Sequence, residues 1–252
     1  MKLDLGVGIY IFSMIFLLIF GYARVSLGMS IAFWGYSILV TRHYFHEKIV
    51  GIAIIAISMY FHKSMFFIVP IFIASLVRFN RKAIFITLIC FIAAVYVGTS
   101  YGLFYFIDNT NSEVIDANAA QRYASSAFSI HGIGGLLKTI LYRAVYYLTP
   151  SLIVYIILKR DYKTLPDNIK RFMNCTLLIV VSTSIFLFNL GANSDLIYIR
   201  LLYFAMIPSS VSLTYIYSSM PKYSKYAGII ILIGILATTY DISYKFYLTF
   251  YQ

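Results

Sequence analysis

Long apolar segments are the feature that most constrains how this chain folds. A helix needs about 20 apolar residues to cross the hydrocarbon core of a bilayer, and nine apolar segments of the sequence are candidates for such spans. Charged residues make up 12% of the chain, against about 25% in soluble domains, and the mean hydropathy is +0.84. The sequence therefore predicts an all-α, polytopic integral membrane protein.

The nine predicted spans are apolar and are separated by mostly short polar segments. They cover residues 5–22, 25–40, 49–61, 64–77, 83–101, 140–158, 172–192, 201–219 and 226–241. The third and fourth are short, which predicts either re-entrant helices or spans extended by snorkelling of Lys63 and Arg78. The whole chain, 1–252, is expected to form one membrane domain, with an external loop at about 102–139 and a cytoplasmic loop at about 159–171. The segment GIGGLLKTILYRAVYYL is periodic enough to predict a helix that starts at the outer interface before it enters the bilayer.

The distribution of lysine and arginine predicts the orientation of the spans. An N-terminus in the cytoplasm places most of the 20 basic residues on the cytoplasmic side, in agreement with the positive-inside rule. That cytoplasmic set is Lys2, Arg42, Lys48, Arg78, Arg81, Lys82, Lys159, Arg160, Lys163, Lys170, Arg171, Lys222 and Lys225. The external set is Arg24, Lys63, Arg122, Lys138, Arg143, Arg200 and Lys245. Members of the external set occur singly, within or beside apolar segments, which indicates a role other than topology.

The charge and the motif content exclude several classes of protein. The net charge of +11 does not indicate nucleic-acid binding, because the basic residues suit cytoplasmic loops and lipid headgroups. Cys90 and Cys175 lie within apolar segments, which argues against a disulfide framework or a zinc site. The sequence has no P-loop, no G-x-G-x-x-G, no H-E-x-x-H, no nucleophile elbow and no external acidic pair at short spacing for a divalent metal. We expect neither a metal nor a cofactor.

Four external arginines and one histidine are the candidate functional residues. Arg24, Arg122, Arg143 and Arg200 lie on the predicted outer side, and His62 follows the apolar run IAIIAISMYF. Charges near a bilayer are costly and are usually kept for ion pairs, substrates or interface anchoring. Guanidinium groups suit phosphate or pyrophosphate, and an imidazole can accept a proton near neutral pH. The set points to an anionic lipid-linked substrate. Snorkelling of Arg143 and a purely interfacial His62 are the alternatives.

Two early motifs resemble the EpsG family and the related Wzy-type polymerases of O-antigen and capsule. The segment ARVSLGMSIAFWGYSIL contains Arg24 near its start, like the Arg-led helix of that family. The next apolar segment ends in YFHKS, residues 60–64, which resembles the family's apolar-Phe-His-x-Ser signature and contains His62.

Two later motifs extend the resemblance, which covers most of residues 20–220. AQRYASSAF places Arg122 and Tyr123 where the family has a basic-Tyr element opening its large external loop. SDLIYIRLLYFAMIP resembles the late Arg-x-x-x-Tyr/Phe helix of these polymerases, with Arg200, Tyr203 and Phe204. Relatives in the family tend to have additional spans ahead of the Arg-led helix, so the resemblance implies either a shortened member or a sequence that begins at a late start codon.

The resemblance implies a GT-C-like, metal-independent, inverting glycosyltransferase. Such an enzyme transfers a growing glycan from undecaprenyl pyrophosphate onto another lipid-linked repeat unit at the outer face of the bacterial cytoplasmic membrane. The residues that would carry catalysis are His62, as the base for the acceptor hydroxyl, and Arg24 and Arg200, on the pyrophosphate. The residues that would bind substrate are Arg122, Tyr123, Arg143, Tyr203 and Phe204.

Three other membrane functions stay open at this point. An O-antigen ligase also uses outward-facing Arg and His, and a membrane acyltransferase could use His43 or His46. A flippase for lipid-linked glycans would need basic cavity residues at both faces and, usually, internal repeats, and the sequence shows no repeat. The expected partners are undecaprenyl-pyrophosphate-linked glycans, membrane lipids and a chain-length regulator, and no nucleic acid.

Overall fold

The computed structural model describes residues 23–61, 65–76, 89, 132–189 and 202–251. Within these ranges the chain forms helices and no strand, so the all-α prediction is confirmed for them. The helices are α1 Ala23–Thr41, α2 Phe45–Phe61, α3 Met65–Ser75, α4 Gly132–Leu158, α5 Asp167–Asn189, α6 Met206–Ser219 and α7 Pro221–Tyr251. Two short 3-10 helices, η1 Asp161–Thr164 and η2 Tyr203–Ala205, precede α5 and α6.

Each of the seven helices overlaps one predicted span, but several ends differ. Helix α4 begins at Gly132, so the last part of the predicted external loop is helical. The predicted cytoplasmic loop, 159–171, is also largely regular, because it contains η1 and the start of α5. Helix α7 continues to Tyr251, beyond the predicted end at 241. The predicted span 5–22, and 83–101 apart from residue 89, lie outside the described residues.

Helices α1 and α2 form a hairpin that crosses at two facing glycines. A β-carbon added to Gly35 would lie 2.6 Å from the carbonyl oxygen of Gly51 and 2.8 Å from Ile55 Cγ1. A β-carbon added to Gly51 would lie 2.9 Å from the carbonyl oxygen of Gly35. Small residues allow this close approach of two backbones, as they do between helices in membranes. The crossing therefore depends on glycine at both positions.

Helix α5 packs at the centre of the described helices, against α3, α4 and α6, and α7 packs on α4 and α6. The interior is largely apolar, and most of its buried serine and threonine hydroxyl groups are satisfied within their own helices. Seven of these donate to the carbonyl oxygen four residues earlier: Thr149, Thr176, Thr183, Ser184, Ser212, Thr214 and Thr238. Since each already has a backbone partner, these side chains serve close packing rather than forming a polar passage.

The outer surface of the described helices carries many large apolar side chains. They include Leu27, Trp34, Ile49, Ile52, Ile57, Ile73, Tyr147, Leu148, Ile229, Leu232 and Leu236. Trp34 is 62% exposed and lies in the middle of α1. Soluble monomers rarely expose large contiguous apolar patches, so a surface of this kind is typical of helices surrounded by lipid.

One helical stretch of the described residues, Pro221–Tyr240, has the length and apolar composition needed to cross a membrane, and Ala144–Leu158 is a shorter apolar helix. The arrangement of nine spans stays a prediction.

Candidate functional site

Helix ends rich in basic residues meet at one end of the bundle. Arg171 Nη1, near the start of α5, lies 3.5 Å from the carbonyl oxygen of Val40, near the end of α1. Lys222 Nζ, at the start of α7, lies 3.0 Å from Asp161 Oδ2, just after α4. We call this the basic end. Its basic residues are Arg42, Lys48, Lys159, Arg160, Lys163, Lys170, Arg171, Lys222 and Lys225, all from the set predicted to be cytoplasmic.

A buried tyrosine joins three helices near the basic end. The hydroxyl of Tyr36, in α1, lies 2.6 Å from Ser75 Oγ in α3 and donates to the carbonyl oxygen of Arg171 in α5 at 3.0 Å. Its ring stacks on Phe72 at 4.5 Å between centroids and meets Phe172 edge-on at 5.4 Å. The side chain is fully buried. The ends of α1 and α3 are therefore fixed to the start of α5.

Replacing Tyr36 by phenylalanine is expected to destabilise the protein by about 1–2 kcal/mol. The ring contacts would remain, but the carbonyl oxygen of Arg171 would lose the tyrosine hydroxyl as its partner. Thermal unfolding of the purified protein in detergent measures the effect. Tyr60→Phe is the matched control, because Tyr60 is 93% exposed. Equal melting temperatures for the two variants would contradict this role of the hydroxyl group.

A second polar cluster holds η1 against the start of α7. The carboxylate of Asp161 accepts hydrogen bonds from the Tyr223 hydroxyl and from Lys222 Nζ. These bonds lower the pKa of Asp161 below its ordinary value of 3.8. Because the pKa of Asp161 is lower in the folded chain than in the unfolded chain, the hydrogen bonds to its carboxylate stabilise the fold above pH 3.8. This stabilisation is lost as the pH falls through the lowered pKa.

The neighbouring Tyr162 fixes the other side of η1. Its hydroxyl donates to Asn174 Oδ1 at 2.7 Å, and Asn174 is itself buried. Burial raises the pKa of Tyr162 to about 12, so the phenol keeps its proton and remains a hydrogen-bond donor at neutral pH. The connection between α4 and α5 is thus attached to the bundle rather than free.

The opposite end of the bundle, which we call the far end, holds several predicted site positions. Arg24 is the second residue of α1, and Tyr203 opens η2, directly before α6. At a rise of about 1.5 Å per residue, Arg24 lies ~26 Å along α1 from Thr41. By the same measure Tyr203 lies ~24 Å from Ser219, and Arg143 lies ~22 Å along α4 from Leu158. Measured along their own helices, the three positions therefore lie at similar distances from the basic end.

The described side chains at the far end differ in exposure. Arg24 is exposed, and within the described part of the chain it has no ion-pair partner. Tyr203 is half-buried, whereas Phe204 is 1% exposed and belongs to the core. Phe204 thus supports the start of α6, and a buried ring of this kind offers no open face for a sugar.

Four predicted site residues, His62, Arg122, Tyr123 and Arg200, lie outside the described residues. Helix α2 ends at Phe61, the residue before His62, and α2 runs from the basic end to the far end. In the described ranges, no group of three or more His, Cys, Asp or Glu side chains could hold a metal ion.

The clusters around Tyr36 and Asp161 were not predicted from the sequence. Both depend on contacts between residues 39 to 135 positions apart in the chain, which no local pattern discloses. A partial signal existed for the second cluster, because Asp161 is a lone acid within the basic segment KRDYK.

Comparisons with protein-family models, with curated proteins and with solved structures found no match to this chain.

Proposed function

We propose that this chain is a multi-pass membrane enzyme that polymerises undecaprenyl-pyrophosphate-linked oligosaccharide repeat units into O-antigen, capsule or exopolysaccharide. The proposal places nine spans in the bacterial cytoplasmic membrane, the N-terminus and the basic end in the cytoplasm, and the far end outside. The apolar outer surface of the helices and the concentration of basic residues at one end support this orientation.

The observation that carries the proposal is that Arg24, Arg143 and Tyr203 lie at similar distances along their helices from the basic end. These positions come from three helices that are far apart in sequence. Arginines near the outer interface can bind a pyrophosphate that is fixed at the membrane surface by its lipid. Arg24 itself is exposed, and it has no acidic partner among the described residues.

The chemistry assigned to this site is an inverting displacement without a metal. His62 removes the proton from the acceptor hydroxyl, and the resulting oxygen attacks the anomeric carbon of the donor glycan. The bond between that carbon and the pyrophosphate oxygen breaks, and the electron pair leaves with undecaprenyl pyrophosphate. Arg24, Arg143 and Arg200 stabilise the charge that develops on this leaving group. Arg122 and Tyr123 hold the second lipid-linked chain, and Tyr203 lines the sugar path.

Glycan banding in cells that lack the chain separates this proposal from its rivals. Loss of a polymerase should leave caps of a single repeat unit on the cell surface. Lipid-linked polymer that is never transferred would instead indicate a ligase, and repeat units trapped in the cytoplasm would indicate a flippase. Unchanged chain length with loss of an acyl group would indicate an acyltransferase.

A further inference from the structure

The basic end carries a surface that combines cationic and apolar side chains between α4 and α7. Its four basic residues, all of them exposed, are Lys159, Arg160, Lys222 and Lys225. Large exposed side chains lie next to these basic residues along the same helices. They are Tyr155, Leu158 and Tyr226, with exposed fractions of 46%, 54% and 57%. We call this set the α4–α7 surface. Helices α4 and α7 pack against each other, and the rings of Tyr155 and Tyr223 meet edge-on at 6.1 Å.

Helical spacing aligns the two kinds of side chain along each helix. Residues three or four apart share one helix face, so Lys222, Tyr226 and Ile229 form one exposed line on α7. In the same way Tyr155, Leu158 and Lys159 are neighbours at the end of α4, where Lys159 Nζ lies 5.6 Å from the centre of the Tyr155 ring. The surface is therefore cationic toward the end of the bundle and apolar toward its middle.

The charge of this surface is positive because its one acidic residue is already engaged. Asp161 Oδ2 is bound by Lys222 and by the Tyr223 hydroxyl. In the described part of the chain, Arg160 and Lys225 have no acidic partner. These two positive charges thus face solvent without an acidic partner among the described residues.

Arg160 adopts a backbone conformation that its side chain disfavours. Its φ is 65° and its ψ is 1°, the left-handed region, and no other non-glycine residue in the described ranges has a positive φ. Its N–H donates to the carbonyl oxygen of Ile157 at 3.1 Å, so it ends α4 in the position where glycine is usual. A strained residue that keeps a long cationic side chain suggests a function for that side chain.

We propose that the α4–α7 surface binds an anionic phospholipid of the cytoplasmic leaflet. The phosphate lies against Arg160, Lys159 and Lys225, and the acyl chains lie along Tyr155, Leu158 and Tyr226. A lipid matches both halves of the surface, whereas an acidic segment of a soluble protein would leave the apolar half uncovered. The inference requires membrane insertion but no step of glycan transfer, so its failure would leave the polymerase proposal unaffected.

The test measures thermal stability of the purified full-length chain in detergent, with phosphatidylglycerol or phosphatidylcholine of the same acyl chains added. We expect phosphatidylglycerol alone to raise the melting temperature, in a saturable way. Arg160→Gly should move two quantities in opposite directions. It relieves the left-handed strain and raises the melting temperature without lipid, and it weakens phosphatidylglycerol binding about fivefold, the effect of one basic residue near an anionic membrane surface.

Two matched variants complete the test. Arg160→Lys keeps the charge and the strain, and should bind phosphatidylglycerol like the wild type. Lys245→Gln removes one charge near the other end of α7, and should also leave binding unchanged. Equal stabilisation by the two lipids, or wild-type binding by Arg160→Gly, would overturn the proposal. So would an equal effect of water-soluble glycerol phosphate or of an acidic peptide, because neither needs the apolar half of the surface.

Discussion

Replacing Gly35 by alanine will force α1 and α2 apart and destabilise the protein, although alanine favours a helix more than glycine does. The new methyl group would lie 2.6 Å from a carbonyl oxygen of the α2 backbone, which cannot rotate away as a side chain can. Overpacking of this kind destabilises by about 1–3 kcal/mol, which lowers the melting temperature by about 2–4 °C for each kcal/mol. Gly35→Leu, with a larger side chain, should have a greater effect.

The matched control is Gly28→Ala in the same helix. A β-carbon at Gly28 would first meet Met65 Sδ at 3.3 Å, and a methionine side chain can move by rotating its flexible bonds. This variant should melt at or slightly above the wild-type temperature, since alanine improves helix propensity by about 1 kcal/mol. If Gly35→Ala were as stable as Gly28→Ala, the close crossing of α1 and α2 would be disproved.

Replacing Arg24 or His62 by alanine will abolish long glycan chains while the protein remains in the membrane. A positioned general base contributes a factor of about 10²–10⁴ to rate, and one donor that stabilises developing charge contributes about 10²–10³. Losses of this size would leave surface glycans as single repeat units. Gel banding of surface glycans measures chain length, and an immunoblot of the membrane fraction measures protein level.

Arg42→Ala is the matched control for Arg24→Ala, because the two arginines flank the same helix at opposite ends. Arg42 lies at the basic end, 3.7 Å from Glu47, so its loss should leave chain length unchanged. Normal polymer from Arg24→Ala, at normal protein level, would remove Arg24 from the site. Loss of polymer from Arg42→Ala as well would show that banding reports general damage to the helix.

The helices could be predicted from the sequence because apolar length is a local property. The end of α4 at Leu158 and the end of α2 at Phe61 agree with the predicted spans. The start of α4 at Gly132 agrees with the helical periodicity of GIGGLLKTILYRAVYYL. The start of α7 was missed because Lys222 interrupts the apolar pattern, while the backbone still continues the helix. The start of α7 carries a separate signal, since Pro221 occupies the first helical position, which suits proline.

The contacts between helices could not be predicted in the same way. The approach of Gly35 to Gly51 depends on the rotation of two helices about their axes, and the pattern of apolar residues on α1 and α2 does not define that rotation. Arg171 shows the same limit. The sequence predicted only that Arg171 helps to set the topology. In the structure its carbonyl oxygen accepts a hydrogen bond from the Tyr36 hydroxyl, and its guanidinium group donates to the carbonyl oxygen of Val40. At the far end, Phe204 was predicted to bind substrate, but its ring is buried in the core.

The most direct test of the central claim is polymerisation by the purified protein in liposomes that contain a synthetic undecaprenyl-pyrophosphate-linked repeat unit. We expect a ladder of lipid-linked glycans in the presence of a metal chelator, with one undecaprenyl pyrophosphate released for each new glycosidic bond. The ladder should be missing for Arg24→Ala and present for Arg42→Ala. Intact repeat units after prolonged incubation with the folded wild-type protein, or movement of the lipid across the bilayer without a new bond, would contradict it.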